Sequence, residues 1–300
     1  MAARSTKWGN WVMPTLVLFS VVLVIYLMAS STRSPENALK TSNFEENKFL
    51  NGVQERASSS KLDFRILCEE DNARIQEVLN FDTKEATIDS ITTILAKTVV
   101  NPVQMGCKTL KRLGRGVWLG KCNDGHKYVC LDDIEPSDCL VYSFGLANQI
   151  SFEKSIAFMG CKVYGYDRAQ TTVMKQNRNP KLVLQTAFIG VGGMNLSEIL
   201  RQNGHENEPI SYLKADIEGS ELNALPVWIK SGALSHIKQL AFEFHFVDAN
   251  VAKFWAIIQD LYQIGFRVIS YDPNFCKGDS EKGFYQLFEI VFRKTDVCLE

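Results

Sequence analysis

The sequence predicts an α/β fold for residues 139–300, with a doubly wound, mostly parallel sheet that ends in a C-terminal antiparallel hairpin strand. Two observations support this prediction. From Cys139 onward, short apolar runs alternate with helix-compatible stretches, as strands joined by crossover helices do. The last two runs, FRVISY and FYQLFEIVFR, are separated by a polar loop from Asp272 to Gly283, which favours an antiparallel pair. A small helical and turn-rich pre-domain is predicted before the sheet.

The first 29 residues are predicted to be a membrane anchor. Trp11 to Ala29 contains no charged side chain, and at about 1.5 Å per residue this run nearly crosses a hydrocarbon core of roughly 30 Å. Arg4 and Lys7 precede the run and favour a cytoplasmic N-terminus. A cleaved signal peptide is the alternative, because small residues follow the run. Either interpretation places the remaining chain in the secretory pathway, as a single-pass type II membrane protein of the ER or Golgi lumen or as a secreted protein.

Two segments separate the anchor from the sheet. Residues 30–61 are polar and have no sustained apolar period, so they are predicted to be a stem or linker. Residues 62–138 are predicted to form the pre-domain. Apolar residues recur there at helical spacing until Asn101-Pro102 ends the pattern, and the part from Gly106 to Pro136 is rich in turn residues and short strand-like runs.

Composition narrows the choice of partners. The chain has 33 basic and 34 acidic residues and a formal net charge of -1, so it has no positive field that would attract a nucleic acid, and no such partner is predicted. Its eight cysteines suit an oxidising compartment. No CxxC pair occurs, so no metal site is predicted from the cysteines. Disulfides and buried thiols both remain compatible with their spacing.

Five apolar runs are predicted to form the parallel part of the sheet. They are CLVYSF (139–144), CKVYGYD (161–167), KLVLQTAF (181–188), YLKAD (212–216) and QLAFEFHF (239–246). A longer helix is predicted from Val251 to Ile264. Ligands of such sheets bind outside the carboxyl ends of the strands, near the point where the strand order reverses. The residues at those ends are therefore the candidate site.

The loop after the first of these strands contains a single glycine, Gly145, between Ser143 and Asn148. A dinucleotide site would need the G-x-G-x-x-G pattern that cradles a pyrophosphate, so NAD and FAD are not predicted. One glycine still lets the backbone turn tightly against a ligand. Asp167 ends the next strand 22 positions after Gly145. At that spacing its carboxylate is predicted to accept hydrogen bonds from the two hydroxyls of a ribose.

Acidic residues and a histidine end the last two parallel strands. Asp216 begins the segment DIEGSE, and Glu243 and His245 lie two residues apart in QLAFEFHF. Alternation along a strand places Glu243 and His245 on the same side. We expect these three residues to meet at one edge of the cleft as candidate catalytic groups, without a ranking among them. Holding the amino group of a methionine moiety, or a divalent metal through oxygen ligands, is the alternative role for this cluster. Glu221 is predicted only to charge the N-terminus of the following helix.

Several of these segments resemble one known family. CLVYSFGLANQISFE, VYGYD, LKADIEGSELNAL and QLAFEFH are similar to motifs of the methyltransferase-like protein 24 group, related to the FkbM-type methyltransferases, and DGHKYVCLD further upstream is similar too. The resemblance implies a class I, Rossmann-like methyltransferase domain over residues 139–300, an N-terminal signal or anchor, and S-adenosyl-L-methionine as the methyl donor. By motif transfer, the residues expected to hold the donor are Ser143, Gly145, Asn148, Asp167 and Asp216. The acidic residue and second glycine usual in the first loop of the class are replaced here, with Ser143 and Ala147 near their places.

The expected function is therefore methyl transfer in the secretory pathway to an unidentified small-molecule, glycan or peptide acceptor. Two alternatives remain open at this stage. A type II glycosyltransferase of the lumen has the same order of anchor, stem and α/β domain, and Asp216-Ile217-Glu218 resembles its metal-binding D-x-D motif. An inactive binding module is the other alternative, since the first loop departs from the class pattern.

Overall fold

The computed structural model describes residues 71–100, 107–115, 117–119, 122–190, 192–245, 247–274 and 287–295. All of them belong to one compact unit that extends from Arg65 to Glu300. The predicted anchor at residues 1–29 and the predicted stem at residues 30–61 lie outside the described residues. Within the described ranges, no helix is both long enough and apolar enough to cross a membrane.

Among the residues that the structure describes, two helices and two small sheets precede the main sheet. Helix α1 covers residues 71–80 and helix α2 covers Ile88–Val99. The Thr87 hydroxyl accepts a hydrogen bond from the backbone N of Ser90 (3.2 Å), which caps the first turn of α2. Four short strands follow in two antiparallel pairs. β1 (Leu110–Leu113) pairs with β4 (Lys127–Cys130), and β2 (Val117–Leu119) pairs with β3 (Cys122–Asp124).

Seven further strands form the main sheet. They are β5 (Leu140–Phe144), β6 (Lys162–Asp167), β7 (Leu182–Thr186), β8 (Tyr212–Ala215), β9 (Gln239–His245), β10 (Phe266–Pro273) and β11 (Leu287–Lys294). Their order across the sheet is β10-β11-β9-β8-β5-β6-β7. Neighbours among β5 to β9 are parallel, whereas β11 runs antiparallel to both β9 and β10. The predicted mostly parallel sheet with a C-terminal antiparallel hairpin is confirmed.

Helices cover both faces of this sheet. They are α3 (Ser151–Phe158), α4 (Thr172–Gln176), α5 (Leu196–Gln202), α6 (Glu221–Lys230) and α7 (Val251–Gln263). Tyr142 and Phe144 of β5 pack in one apolar cluster with buried residues of α5, α6 and α7. Val141 packs in the other cluster with residues of α3. Since alternate residues of a strand point to opposite faces, Ser143 points toward the α3 side.

The strand order reverses at β5. β6 and β7 lie on one side of it, and β8 and β9 lie on the other. This reversal opens a crevice at the carboxyl end of β5, which is the usual ligand position in open α/β sheets. The fold therefore places the loop after Phe144 at the centre of the candidate site.

Two disulfides lie among the described residues, so for these four cysteines the disulfide alternative holds. Cys107 pairs with Cys130 at the end of β4. Cys139 pairs with Cys161, and these two residues directly precede the parallel neighbours β5 and β6. The second disulfide ties together the starts of the two strands whose opposite ends form the crevice.

Candidate functional site

A cavity of about 710 Å³ opens at the carboxyl ends of the parallel strands. Of the residues predicted from the sequence, Gly145, Asn148, Asp167, Asp216 and Glu243 line it. Ser143 and His245 are not among its lining residues. The volume lies within the range of about 300–1,000 Å³ that is usual for small-molecule sites.

Gly145 brings the first loop into close contact with the end of β8. Its φ is +78°, and a Cβ built on it would lie 1.6 Å from the backbone O of Asp216. The backbone N of Gly145 donates a hydrogen bond to the O of Tyr166 (2.9 Å), and Lys214 Nζ donates one to the O of Gly145 (2.5 Å). Both the positive φ and the close approach require glycine at this position.

The carboxylate of Asp167 holds the same loop by hydrogen bonds to its backbone. Its Oδ2 accepts hydrogen bonds from the backbone N of Leu146 (2.9 Å) and of Ala147 (2.8 Å), and its Oδ1 accepts one from the N of Ala169 (3.0 Å). Ala147 has a φ of +46°, so it adopts the left-handed conformation that the missing second glycine would have adopted easily. Asp167 therefore compensates for the absence of that glycine.

These contacts limit what Asp167 can offer a ribose. A carboxylate has about four acceptor positions, and backbone N–H groups already use three of those on Asp167. The sequence predicts hydrogen bonds from both ribose hydroxyls. The structure leaves a direct acceptor position for one of them.

Ser143 faces a helix and not the cavity. It is fully buried, and its Oγ donates a hydrogen bond to Oε1 of Glu153 in the first turn of α3 (2.6 Å). Glu153 itself lines the cavity. Ser143 can therefore affect a ligand only through Glu153. Asn148, a lining residue, also accepts a hydrogen bond from the N of Val173 (3.3 Å) and so joins the loop to α4.

Two buried lysines hold the carboxylate of Asp216. Lys127 Nζ and Lys214 Nζ each lie 3.5 Å from its Oδ2. Burial alone would raise the pKa of Asp216, but the two ammonium groups outweigh burial and hold this pKa well below its ordinary value. A carboxylate with such a low pKa is a weak proton acceptor, so Asp216 is the poorest of the three predicted bases.

Lys127 has a second carboxylate partner, Glu289 of β11. Burial would lower the pKa of Lys127, but the carboxylates of Glu289 and Asp216 outweigh it and hold that pKa above its ordinary value. Burial raises the pKa of Glu289, against the opposing effect of Lys127. Lys127 comes from the small sheet before the main domain, and its ammonium group links β4, β8 and β11.

Glu243 and His245 lie together, as their alternation along β9 predicts. The distance from His245 Nε2 to Glu243 Oε2 is 3.8 Å, and the distance to Glu218 Oε2 is 3.9 Å. Glu218 is 82% exposed in its side chain, whereas Glu243 is buried. The three side chains form a rim beside the cavity, next to but separate from the lysine-bound Asp216.

Glu221 occupies the first turn of α6, as predicted, but it is buried. Its Oε1 accepts a hydrogen bond from the N of Ile217 (2.6 Å), and burial raises its pKa to about 7. The folded-state pKa lies above the ordinary value of 4.5, so the folded protein binds more protons than the unfolded chain between these values. The contribution of Glu221 to stability is therefore present at low pH and is lost as the pH rises through this window.

We expect Glu221→Gln to remove this pH dependence, because glutamine cannot ionise. Between pH 5 and pH 8 the difference in unfolding free energy should shift in favour of the variant by up to about 3 kcal/mol. Urea unfolding of the variant and the wild type at several pH values measures this difference. Parallel stability curves across the range would contradict the assignment to Glu221.

The lining contains an excess of negative charge. Five carboxylates, those of Glu153, Asp167, Asp216, Glu218 and Glu243, are set against the three cations Lys127, Arg168 and Lys214. At the edge, the guanidinium of Arg168 lies 5.7 Å from the centre of the Phe188 ring, which is 43% exposed. The cavity therefore combines a cation-attracting interior with a planar, partly exposed aromatic surface.

Sequence reasoning missed several of these groups. Lys127, Glu153, Arg168, Phe188 and Lys214 all line the cavity. A glutamate at the start of a helix and a lysine in a short strand are ordinary residues, and only the fold brings them to the crevice. Arg168 and Phe188 follow the ends of β6 and β7, and their signal in the sequence is this position at strand ends, where ligands of open α/β sheets bind.

Among the described residues, Cys107, Cys130 and Asp132 form a grouping with the spacing of metal ligands. The two cysteines form a disulfide, so their sulfur atoms are not available to a metal. Asp216 and Glu218 do not form such a grouping with a third ligand in the described part of the chain. Because both lysines approach Oδ2 of Asp216, the D-x-D interpretation loses its main ligand.

Comparisons with known proteins agree with this geometry. Residues 99–284 match a family model described as a methyltransferase domain. The chain is 29% identical over 173 residues to the human protein named probable methyltransferase-like protein 24, covering 47% of this chain and 46% of that protein. The rat protein of the same name is also 29% identical over 173 residues. The chain thus spans about half the length of the curated relatives it matches, and the predicted resemblance to this group is confirmed.

Matches among solved structures include a fibrillarin pre-rRNA processing protein from Methanococcus jannaschii. It is 13% identical, with a TM-score of 0.37, over 64% of this chain and 92% of that chain. An rRNA methylase from Streptococcus thermophilus is 12% identical, with a TM-score of 0.37, over 55% of this chain and 92% of that chain. The family match covers more than half of the sequence, including every strand from β5 to β10. The chain belongs to the methyltransferase domain family.

Proposed function

We propose that the cavity binds S-adenosyl-L-methionine and that the chain transfers its methyl group to an acceptor held at the rim formed by Glu218, Glu243 and His245. The observation that carries this proposal is the contact between Gly145 and the backbone of Asp216, which sets the loop at the switch point of the sheet. The space between the loop and the end of β8 has no room for a side chain at position 145. The backbone of the loop can therefore lie directly against a ligand.

Charge distinguishes this donor from a nucleotide sugar. S-adenosylmethionine carries a sulfonium, an ammonium and one carboxylate, so its net charge is positive. The excess of carboxylates in the lining favours such a cation. A nucleotide sugar carries an anionic diphosphate, which these carboxylates would repel unless a metal ion intervened. The geometry thus favours methyl transfer over glycosyl transfer.

Different residues would bind different parts of the donor. Gly145 allows the loop to approach the donor, Asp167 keeps one acceptor position for a ribose hydroxyl, and Phe188 with Arg168 offers a surface for a planar base. When bound, the donor supplies an already activated methyl group. The remaining task of the protein is to align the acceptor and to accept its proton.

His245 is the base that the geometry supports best. Imidazole is the side chain most often used in this role. Glu243 and Glu218 lie beside His245 and would stabilise the charge it gains on accepting a proton. Asp216 is held by two lysines and serves to position them and the loop. The acceptor itself is a small molecule, glycan or peptide with an ionisable hydroxyl or amine.

Calorimetry with the full chain in detergent micelles tests donor binding. We expect saturable binding of S-adenosylmethionine and a loss of at least about tenfold in affinity for Asp167→Ala, because the loop loses two charge-assisted hydrogen bonds. A parallel thermal-shift panel compares this donor with a nucleotide sugar plus manganese. Stabilisation by the nucleotide sugar alone would establish the glycosyltransferase alternative. Donor binding without turnover of any acceptor in secretory fractions would establish the inactive module.

The setting in the secretory pathway is part of the same proposal. It is supported by the apolar run at residues 11–29 and by the disulfides Cys107–Cys130 and Cys139–Cys161, which persist in oxidising compartments. In sealed microsomes, we expect the domain from residue 71 onward to resist added protease until detergent is present. Cleavage before detergent is added would place the domain on the cytosolic side and refute this setting.

A further inference from the structure

Glu153 is a buried carboxylate with one of its two oxygens free of hydrogen bonds from the described residues. The residue is 1% exposed, and its Oε1 accepts the hydrogen bond from Ser143 Oγ. None of the described residues hydrogen bonds to its Oε2. That oxygen is not sealed within the protein, and Glu153 lines the cavity. The free oxygen therefore faces the space in which a ligand would lie.

The position of Glu153 at the start of α3 does not account for its burial. A carboxylate in the first turn gains only a small stabilisation from the helix dipole, whereas taking an ionised carboxylate out of water without a partner is far more unfavourable. Glu221 shows the contrast. It occupies the first turn of α6 and is also buried, but it is bonded to the backbone N of Ile217 and does not line the cavity.

Other carboxylates of the lining already have partners or lie near solvent. Asp216 is bound by two lysines, and Asp167 by three backbone N–H groups. Glu218 is exposed beside His245, and Glu243 lies against the same imidazole. Glu153 differs from them because it is buried, lines the cavity and has an oxygen without a partner among the described residues, in the first turn of the helix that follows the loop containing Gly145.

We propose that Glu153 binds the α-ammonium group of S-adenosylmethionine, with Ser143 orienting the carboxylate. This inference rests on the proposed function, because it names the side chain that recognises the amino-acid part of the same donor. A primary ammonium provides three donors and a positive charge, and it would complete the pairing that Glu153 lacks in the protein. The carboxylate absent from the first loop is thereby supplied from helix α3.

Two ligands separate this role from a general effect on the fold. S-adenosylmethionine carries the ammonium group, whereas 5′-methylthioadenosine lacks the entire amino-acid part. We expect Glu153→Gln to weaken binding of S-adenosylmethionine by about 10- to 100-fold, the usual effect of losing a charge-assisted hydrogen bond. The same variant should bind 5′-methylthioadenosine within about twofold of the wild type. Glu221→Gln is the matched control and should leave the affinity for both ligands unchanged.

The stability of the ligand-free protein gives a second readout. Glutamine is isosteric and can still accept from Ser143, so removing the unpaired charge should leave the melting temperature of Glu153→Gln equal to or above that of the wild type. A structural role for the charge predicts the opposite, a lower melting temperature and an equal loss of affinity for both ligands. Either of those results would overturn the proposal, as would unchanged affinity for S-adenosylmethionine.

The same measurements separate a failure of donor binding from a failure of the role of Glu153. If the wild type binds neither ligand, the proposed function fails, and the role of Glu153 fails with it. If the wild type binds both ligands and Glu153→Gln leaves the ratio of the two affinities unchanged, only the role of Glu153 fails. Ser143→Ala adds a graded test, because it keeps the carboxylate but removes its orienting hydroxyl. Ser143→Ala should weaken the binding of S-adenosylmethionine by less than Glu153→Gln does.

Discussion

Gly145→Ala should abolish donor binding and lower the unfolding free energy by at least about 3 kcal/mol. The new Cβ would lie 1.6 Å from the backbone O of Asp216, and backbone cannot rotate away as a side chain can. To accommodate it, the loop and the end of β8 must separate. That separation would also break the hydrogen bond from Lys214 to the O of Gly145.

Gly204→Ala provides the matched control for this substitution. Gly204 has a φ of +73°, close to that of Gly145, but a Cβ there would meet nothing within 4 Å. It should cost only about 1 kcal/mol, the price of the left-handed conformation. Chemical unfolding and calorimetry on both variants separate the effect of backbone conformation from that of the close approach. Equal losses of stability would show that the contact with Asp216 is unimportant.

Lys127→Met should lower the unfolding free energy by about 3–5 kcal/mol at neutral pH, because it leaves the buried carboxylates of Glu289 and Asp216 without their shared cation. The exposed pair of Lys97 and Glu77, with side chains 60% and 42% exposed, supplies the control. Lys97→Met should cost less than about 1 kcal/mol. Urea unfolding measures both.

The loss of unfolding free energy in Lys127→Met should also depend on pH. Without the ammonium group, the pKa of Glu289 rises further above its unfolded value, since burial then loses its largest opposing effect and only the more weakly acting Lys214 still lowers this pKa. The folded variant gains stability wherever Glu289 is protonated, so its deficit should be smallest near pH 5 and should grow toward pH 8. Adding Glu289→Gln should restore part of the stability at pH 8. A deficit that is independent of pH, with no recovery in the double variant, would disprove the coupling of Lys127 to Glu289.

The sequence predicts the strands of the sheet well because each strand is marked by the residues within it. Buried parallel strands require continuous apolar runs, and each run from Cys139 to His245 lies within a few residues of the strand observed. The insertion of β11 between β9 and β10 was not predicted. Strand order is decided by which apolar faces meet in three dimensions, and the alternation of strands and helices along the chain does not encode it.

The site could be predicted only in part, for the same reason. Gly145 and Asp167 stand out because a tight turn requires glycine and because the spacing between them is fixed by one strand–helix–strand unit. Lys127 is 89 residues from Asp216, so their contact has no local signal. Glu153 looks like an ordinary helix-start acid until its burial is seen. Ala147 adopts a glycine-like φ of +46° while its backbone N–H is held by Asp167, a contact that has no local signal in the sequence.

A crystal structure of the protein with S-adenosylhomocysteine would show whether the cavity is the donor site. We expect ligand density in the cavity lined by Gly145, Asp167 and Asp216, with the ribose beside Asp167 and the ammonium group within hydrogen-bonding distance of Glu153 Oε2. Density for the ligand at another surface, or a cavity that stays empty at saturating ligand concentration, would contradict it.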